Sequence, residues 1–589
     1  MSPARHYGVR HHDVLHHDVC PGSEAGDGET GRRGDERELF RGMKKTLFSP
    51  PPRLPASPSQ GMGARPKLFL ACVGVLVSVL CAATTAEARR DRTVTGDVIK
   101  AARFLQTARL DDAKALLADL EKRAADTVEV KWLRAELLFQ TGDYAGAIKA
   151  LDKVPDDGVE GLVGQTRKLA LSTLGVTESF AETMSPKQHF IIRYAPGPDA
   201  TIALLAGEVL DAAWETVGTD LGLQPSDPIR VELLGAPADL AKLSPLTEAE
   251  IETTGTIALS KYNKLMVVSP RATIFGYPWM DTLAHEYTHL VVSRISHDTV
   301  PVWLQEGLAR FEQTRWRRPP EVSLAATEQA LLTAALKKGR LISFDEMHPS
   351  MAKLPSQEAA ALAYAEVYTL VGWMQKKVGF KGIRDALTAQ RDGKSARRAV
   401  AEVLAMSWSG VEKEWHAHLK TPDKPAPGNA RAGKPIKFAK GGTDSENVGL
   451  EQVGVRGRKH ARIGGMLRAR GMLEAAAVEY EKALTAGGPE PFVAGKLART
   501  LVELGRFDRA IELATPLTAA DDRDAVAAVT LGMARTAKKQ WPEAISAYEQ
   551  ALRVSPFDPT TRCGLAEAYT QVNDPRAARE RSACDELKN

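Results

Sequence analysis

The chain is 589 residues long, which sets an expectation of roughly two to four domains, and 43% of it is apolar, enough for ordinary cores. Its 78 Lys and Arg against 74 Asp and Glu leave a formal charge of +4, a balance that argues against nucleic acid as the main partner. The five cysteines, at 20, 72, 81, 563 and 584, show neither CxxC spacing nor a Cys/His cluster, which argues against a thiolate zinc site.

Residues 1–61 carry HHDVLHHDV and SPPPRLPASP and no apolar periodicity, so they read as a disordered leader. Residues 62–88 read as a signal peptide. Arg65 and Lys67 form its charged start, LFLACVGVLVSVLCAA its apolar run, and Ala86-Glu87-Ala88 a small-x-small cleavage site. The apolar run, Leu68 to Ala83, is shorter than the roughly 20 residues a spanning helix needs. The expectation is an exported chain, periplasmic or secreted; an uncleaved signal would leave it membrane-associated.

From 95 to 178 the pattern is helical, with small and large apolar residues recurring at three and four. GDYAGAIKAL, from Gly142, matches the start of the second helix of a tetratricopeptide repeat, and two helical hairpins are predicted here. The character then changes. HFIIRYA (189–195), IRVELLG (229–235), GTIALS (255–260) and LMVVS (265–269) have strand composition, with a helical pattern, LLAGEVLDAAWETVGTDLG, between the first two.

This α+β region runs into HEYTH at 285–289, inside DTLAHEYTHLVVSRI, which reads as a helix. His285 and His289 lie four apart, so both imidazoles project from one face. Two neutral histidines so placed, with a carboxylate beside the first, suit Zn2+. Glu286 is rotated about 100° from His285 around the helix, so it stands beside the metal rather than on it. Ala284, Tyr287, Leu290 and Val291 make the helix a buried one, where His and Glu need partners. PVWLQEGLARFEQ, from Pro301, reads as a second helix that presents Glu306 as the third ligand, with Trp303, Leu304, Leu308 and Phe311 as core around it. Asp281, four before His285, is the candidate to orient a histidine.

HEYTH followed by WLQEGLA resembles the gluzincin clan of metallopeptidases, and most closely the bacterial peptidase MA-like domains. TTGTIALSKYNKLMVVSPRA (253–272) and AYAEVYTLVGWMQKKVG (363–379) are similar to that family too, so the resemblance spans roughly 188–420. It implies that His285, His289 and Glu306 hold zinc, that Glu286 is the general base, and that a strand at Gly255–Leu259 holds the substrate backbone. A tyrosine donor to the oxyanion is also implied. Tyr364 and Tyr368, one helical turn apart, are the two candidates, and Tyr364 is preferred.

Residues 421–455 are rich in Pro, Gly and Lys and read as a flexible linker. Beyond it, residues 456–589 repeat with period 34: Leu473, Phe507, Trp541 and Pro575 form one series, Ala476, Ala510, Ala544 and Ala578 another, and Gly471 and Gly505 share a turn position. That period is the tetratricopeptide signature. Cys563 and Cys584 are placed symmetrically about the turn at Asn573–Asp574, so they are predicted to pair as a disulfide.

The predicted architecture is therefore an α+β zincin-like catalytic domain (186–420) flanked by all-α tetratricopeptide-like repeats. Its expected activity is zinc-dependent hydrolysis of peptide bonds in exported or envelope proteins, with the repeats recruiting substrates or protein partners. The alternative is a repeat scaffold whose peptidase-like domain binds zinc or peptide without turnover.

Overall fold

The computed structural model describes residues 93–155, 161–317, 324–348, 351, 354–420, 436–439, 450, 453–488 and 490–588. The stretches read as a leader and a signal peptide, and most of the one read as a linker, lie outside the described residues. The fold is mostly helical with one small sheet. It opens on α1 (93–106), α2 (Leu110–Ala124), α3 (Val128–Gln140), α4 (Tyr144–Ala150) and α5 (Leu162–Thr177). Gly142, at φ +90°, makes the left-handed turn between α3 and α4, and Asp143 caps α4 by accepting from the Gly146 amide.

The sheet comprises β1 (Ala181–Met184), β2 (Phe190–Tyr194), β3 (Ile229–Leu234), β4 (Ala258–Lys261) and β5 (Lys264–Val268), in the order β1-β2-β3-β5-β4. The three central strands are parallel and both edges antiparallel. Helix α6 (Ala200–Leu221) joins β2 to β3, and α7 (Pro237–Leu243) and α8 (Glu248–Thr254) precede β4. Strand alternation splits the side chains between two faces. Phe190, Ile192, Val231, Leu233, Leu265 and Val267 join the main core with α6, while Leu234, Met266 and Val268 pack on α7 and α8. The strand read from Gly255 starts later, at Ala258. Gly255 is instead the left-handed C-cap of α8, at φ +70°. Tyr262 and Asn263, both at positive φ, close the β4–β5 hairpin.

Helix α9 (Trp279–Ser296) carries HEYTH, and α10 (Val302–Glu312) carries Glu306. They are followed by α11 (Ala326–Lys338), by α12 (Gln357–Arg391), bent at Gly379, and by α13 (Ala396–Val403) and α14 (Trp408–Leu419). Within the stretch read as a linker, residues 436–439 depart from that reading. Phe438 pairs with Thr273, the Ile274 amide donates to Lys437 O, the Ala439 amide donates to Ala272 O, and Phe438 is buried beside Met266 and Ala272.

The repeat region runs through α15 (Val455–Ala469), α16 (Leu473–Gly487), α17 (Pro491–Glu503), α18 (Phe507–Ala520), α19 (Ala525–Ala537), α20 (Trp541–Leu552), α21 (Pro559–Gln571) and α22 (Ala577–Lys588). Leu473, Phe507 and Trp541 are each the first residue of a helix, and Ala476, Ala510 and Ala544 are fully buried. The series breaks in the last repeat, where Ala578 is exposed. The turn position is left-handed in all four repeats, held by Gly471, Gly505, Lys539 and Asn573. Cys563 and Cys584 form a disulfide between α21 and α22, with a Cα separation of 5.0 Å. No helix among the described residues is long and apolar enough to cross a membrane.

Candidate metal and catalytic site

One turn of α9 sets His285 and His289 on the same side, with their Nε2 atoms 3.1 Å apart. Helix α10 brings Glu306 in from across: its Oε2 lies 3.3 Å from His285 Nε2 and 3.5 Å from His289 Nε2. That oxygen is buried and has no hydrogen bond of good geometry among the described residues. His285, Glu286 and His289 also form a group whose potential ligand atoms lie within 4.8 Å of one another.

The electrostatics of the group favour an added positive charge. Burial pushes the His289 imidazole down, but the carboxylates of Glu306 and Glu286 outweigh it and raise His289 to about 9. Burial pushes Glu306 up, and the two histidines more than reverse this, leaving it below the usual carboxylate range. Two imidazole nitrogens and an unsatisfied buried carboxylate oxygen, converging and stabilising a cation, are a donor set that fits a divalent metal such as zinc.

Gln305 was not singled out from the sequence. Its Oε1 lies 3.1 Å from His289 Nδ1, its Nε2 donates to Ser293 Oγ at 3.2 Å, and Ser293 Oγ donates to Asp298 at 2.9 Å. This chain fixes the His289 ring and directs Nε2 at Glu306. The sequence signal was there in one form: the residue before Glu306 is turned about 100° around α10, toward the far side of the same histidine. Asp281 plays no such part. It is 4% exposed, pairs with Arg317 and accepts from Trp316 Nε1, both from the turn after α10.

Glu286 is 7% exposed. Burial raises its pKa, against the lowering pull of the two histidines and of a hydrogen bond from the Ser260 amide on β4. The register pairs Ala258 with Val267, and just before it the Val268 amide donates to Ile257 O, so by alternation the backbone groups of Ala258 and Ser260 face away from β5. With β4 at the sheet edge, they face the side that Glu286 occupies. Of the two tyrosines, Tyr364 lies in the field of the site. Its phenol is held protonated first by the Glu306 carboxylate, then by burial and by Glu286, against Arg310. Tyr368 packs its ring on Phe311, with centroids 5.9 Å apart.

Fold and site together define a domain with a His, Glu, His and Glu cluster, set between helical repeats. A Peptidase MA superfamily model matches residues 211–421, and a tetratricopeptide repeat model matches 100–158 and 496–559; the chain carries both kinds of unit. No curated protein matches the chain. Among solved structures, it is similar to one described as "MamA MSR-1 C2" at 22% identity, over 24% of this chain and 83% of that one, with a TM-score of 0.21. It is similar to MamA from Desulfovibrio magneticus RS-1 at 18% identity, over 23% and 97%, with a TM-score of 0.16. It is also similar to the APC/C hetero-tetramer Cut9-Hcn1 at 14% identity, over 88% and 94%, with a TM-score of 0.21.

Proposed function

We propose that the chain is an exported zinc metallopeptidase that hydrolyses peptide bonds, with a zincin-like α+β catalytic domain spanning 186–420 and repeats that recruit proteins. The observation that carries this reading is the convergence of His285, His289 and the unsatisfied Glu306 oxygen beside a buried Glu286 that takes no place among those three. A purely structural metal site has no use for that second carboxylate.

His285, His289 and Glu306 would hold the zinc, which when bound supplies a Lewis acid that acidifies water and polarises a carbonyl. The outward backbone groups of Ala258 and the Ser260 carbonyl receive an extended peptide as an added strand, the Ser260 amide being left to Glu286. Glu286, steadied by the Ser260 amide, takes a proton from the attacking water and passes it to the leaving amine nitrogen. The protonated Tyr364 hydroxyl donates to the carbonyl oxygen as negative charge builds there. Export is supported by the signal-like 62–88 stretch and by the Cys563–Cys584 disulfide, a bond favoured in oxidising compartments.

The test pairs the wild-type chain with Glu286→Gln, assayed for zinc content and for cleavage of a mixed peptide library. Both proteins should carry one zinc, and the variant should lose hydrolysis by about 10²- to 10⁴-fold. Equal cleavage by both would refute the role of Glu286. Zinc in both with cleavage by neither would favour the scaffold reading.

A further inference from the structure

A buried α-helix start leaves its first amides without partners inside the helix, and a side-chain cap ordinarily satisfies them. Helix α9 begins after Pro278, and no side chain caps it. The Trp279 amide, which also contacts Tyr277 O at 2.6 Å, meets a carbonyl of the repeat region, more than 250 residues along the chain, and two neighbouring donors do the same. The Trp279 amide donates to Arg553 O at 3.2 Å, the Tyr277 amide to Val554 O at 3.1 Å, and the Trp279 indole Nε1 to Leu552 O at 3.0 Å. Leu552 is the last residue of α20 and Arg553 its C-cap. The negative end of α20 therefore abuts the positive end of α9.

The contact is close and dry. Trp279 and Tyr277 are 0% and 1% exposed. A Cβ on Gly276, which sits at φ +71°, would stand 2.2 Å from Val554 O, so glycine is what permits the approach. A second prong holds α6. Arg562, fully buried and paired with Glu580, donates to Thr201 O at 3.3 Å, and Arg579 binds Glu208 at 2.7 Å. These two arginines lie on α21 and α22, the helices joined by the disulfide.

We propose that the last repeats are a positioning element of the HExxH site: the loop ending α20 caps the helix that carries His285, Glu286 and His289. The proposal rests on reading α9 as the metal-site helix. It makes the repeats part of the catalytic unit in addition to any recruiting role, and whatever displaces α20 shifts the first turn of α9, under two turns from His285.

The test uses the full chain with Trp279→Phe, which keeps an aromatic side chain but removes the indole donor and part of its volume, and Gly276→Ala, which intrudes on Val554 O. Arg506→Ala, breaking the exposed Arg506–Glu474 pair, is the control. Hydrogen exchange over 277–289 should speed up about five- to tenfold in both interface variants, with strands β3 and β5 unchanged. Zinc affinity, read by competition with a chromogenic chelator, should weaken by a similar factor, and kcat should fall with KM unchanged. The control should match the wild type in every readout. Unchanged exchange over 277–289 in both variants, or faster exchange confined to α20–α22, would overturn the proposal. The exchange readout needs neither zinc nor turnover, so a wild-type chain that bound no zinc would sink the peptidase reading and leave this one to be decided separately.

Discussion

At the scale of single residues, the site separates groups that converge on the proposed metal position from groups that steady them. Tyr364 and Tyr368 make the first distinction. Tyr364 lies in the field of Glu306 and Glu286, and Tyr368 packs its ring on Phe311. Tyr364→Phe should therefore lower kcat by roughly ten- to a thousandfold at unchanged zinc content. Tyr368→Phe should leave kcat near wild type, and the reverse pattern would move the donor one helical turn. Gln305 makes the second distinction. With its Oε1 facing His289 Nδ1, Gln305 holds a proton on that nitrogen, so Nε2 is the nitrogen left to bind a metal once one displaces its own proton. Gln305→Ala should weaken zinc binding by about ten- to a hundredfold, with Gln305→Glu restoring most of it, as chelator competition would show. Equal affinity in the alanine variant would make Gln305 a packing residue. Glu306, on a separate helix, was read from the apolar pattern around it and the family resemblance, while the two histidines were legible because helical spacing alone places i and i+4 on one face. Asp281 was misleading for the same reason. It shares that face, but Arg317 and Trp316 from the next turn claim its carboxylate.

At the scale of elements, legibility followed the length of the periodic signal. The apolar runs of β2, β3 and β5 and the long helix patterns fall where composition put them, because each covers several alternations or turns. Strand β1, AETM, went unread: it has one β-branched residue and a half-exposed pattern, and it exists because β2 offers it a partner. Ile436 to Ala439 escaped for a related reason. Four residues inside a Pro- and Gly-rich stretch carry too little pattern to announce a bridge, and their order comes from Thr273 and the pocket beside Met266. The repeats were the most legible part, since a small buried alanine and a left-handed turn recur every 34 residues. Their last member departs. Ala578 is exposed, and α22 buries Glu580, Ala583 and Cys584 in its place, with the disulfide tying it to α21. The bond closes a loop of 21 residues, so replacing both cysteines by serine should cost about 3 kcal/mol in the chain-entropy model. A lower thermal midpoint and faster hydrogen exchange over 577–588 would register this. An unchanged midpoint would mean that the Arg562–Glu580 pair holds α22 alone.

At the scale of the whole molecule, helical repeats meet the sheet domain twice, by different chemistry. The C-terminal contact is made of helix ends and buried arginines. The N-terminal one is a buried polar cluster: Lys264 on β5 lies 1% exposed, its Nζ donating to Tyr144 Oη at 3.0 Å and standing 4.7 Å from the centre of the Phe139 ring. Tyr144 Oη donates to Glu232 at 2.8 Å, and Arg193 also binds Glu232, at 3.2 Å. Burial pushes the Lys264 ammonium down to about 7; Glu232 pulls the other way, and Arg230 and Arg193 reinforce the fall. In an unfolded chain the same group titrates near 10.4. Between the two values the unfolded state binds a proton that the folded state does not, so stability rises with pH, by at most about 1.4 kcal/mol per unit for this one group. Below pH 7 the full cost of burying the charge is present, and it is relieved as pH climbs toward 10. Lys264→Met keeps the stem between Phe139 and Tyr144 and leaves Glu232 to Arg193 and Tyr144. The stability difference between wild type and variant, measured as urea midpoints at pH 7, 8 and 9, should thus move steadily in favour of the wild type. The transition to follow is the one that exposes Trp132, a buried indole of α3 bonded to Thr166. Parallel midpoints across that range would mean that Lys264 keeps its proton when folded, with Glu232 as a full counter-ion.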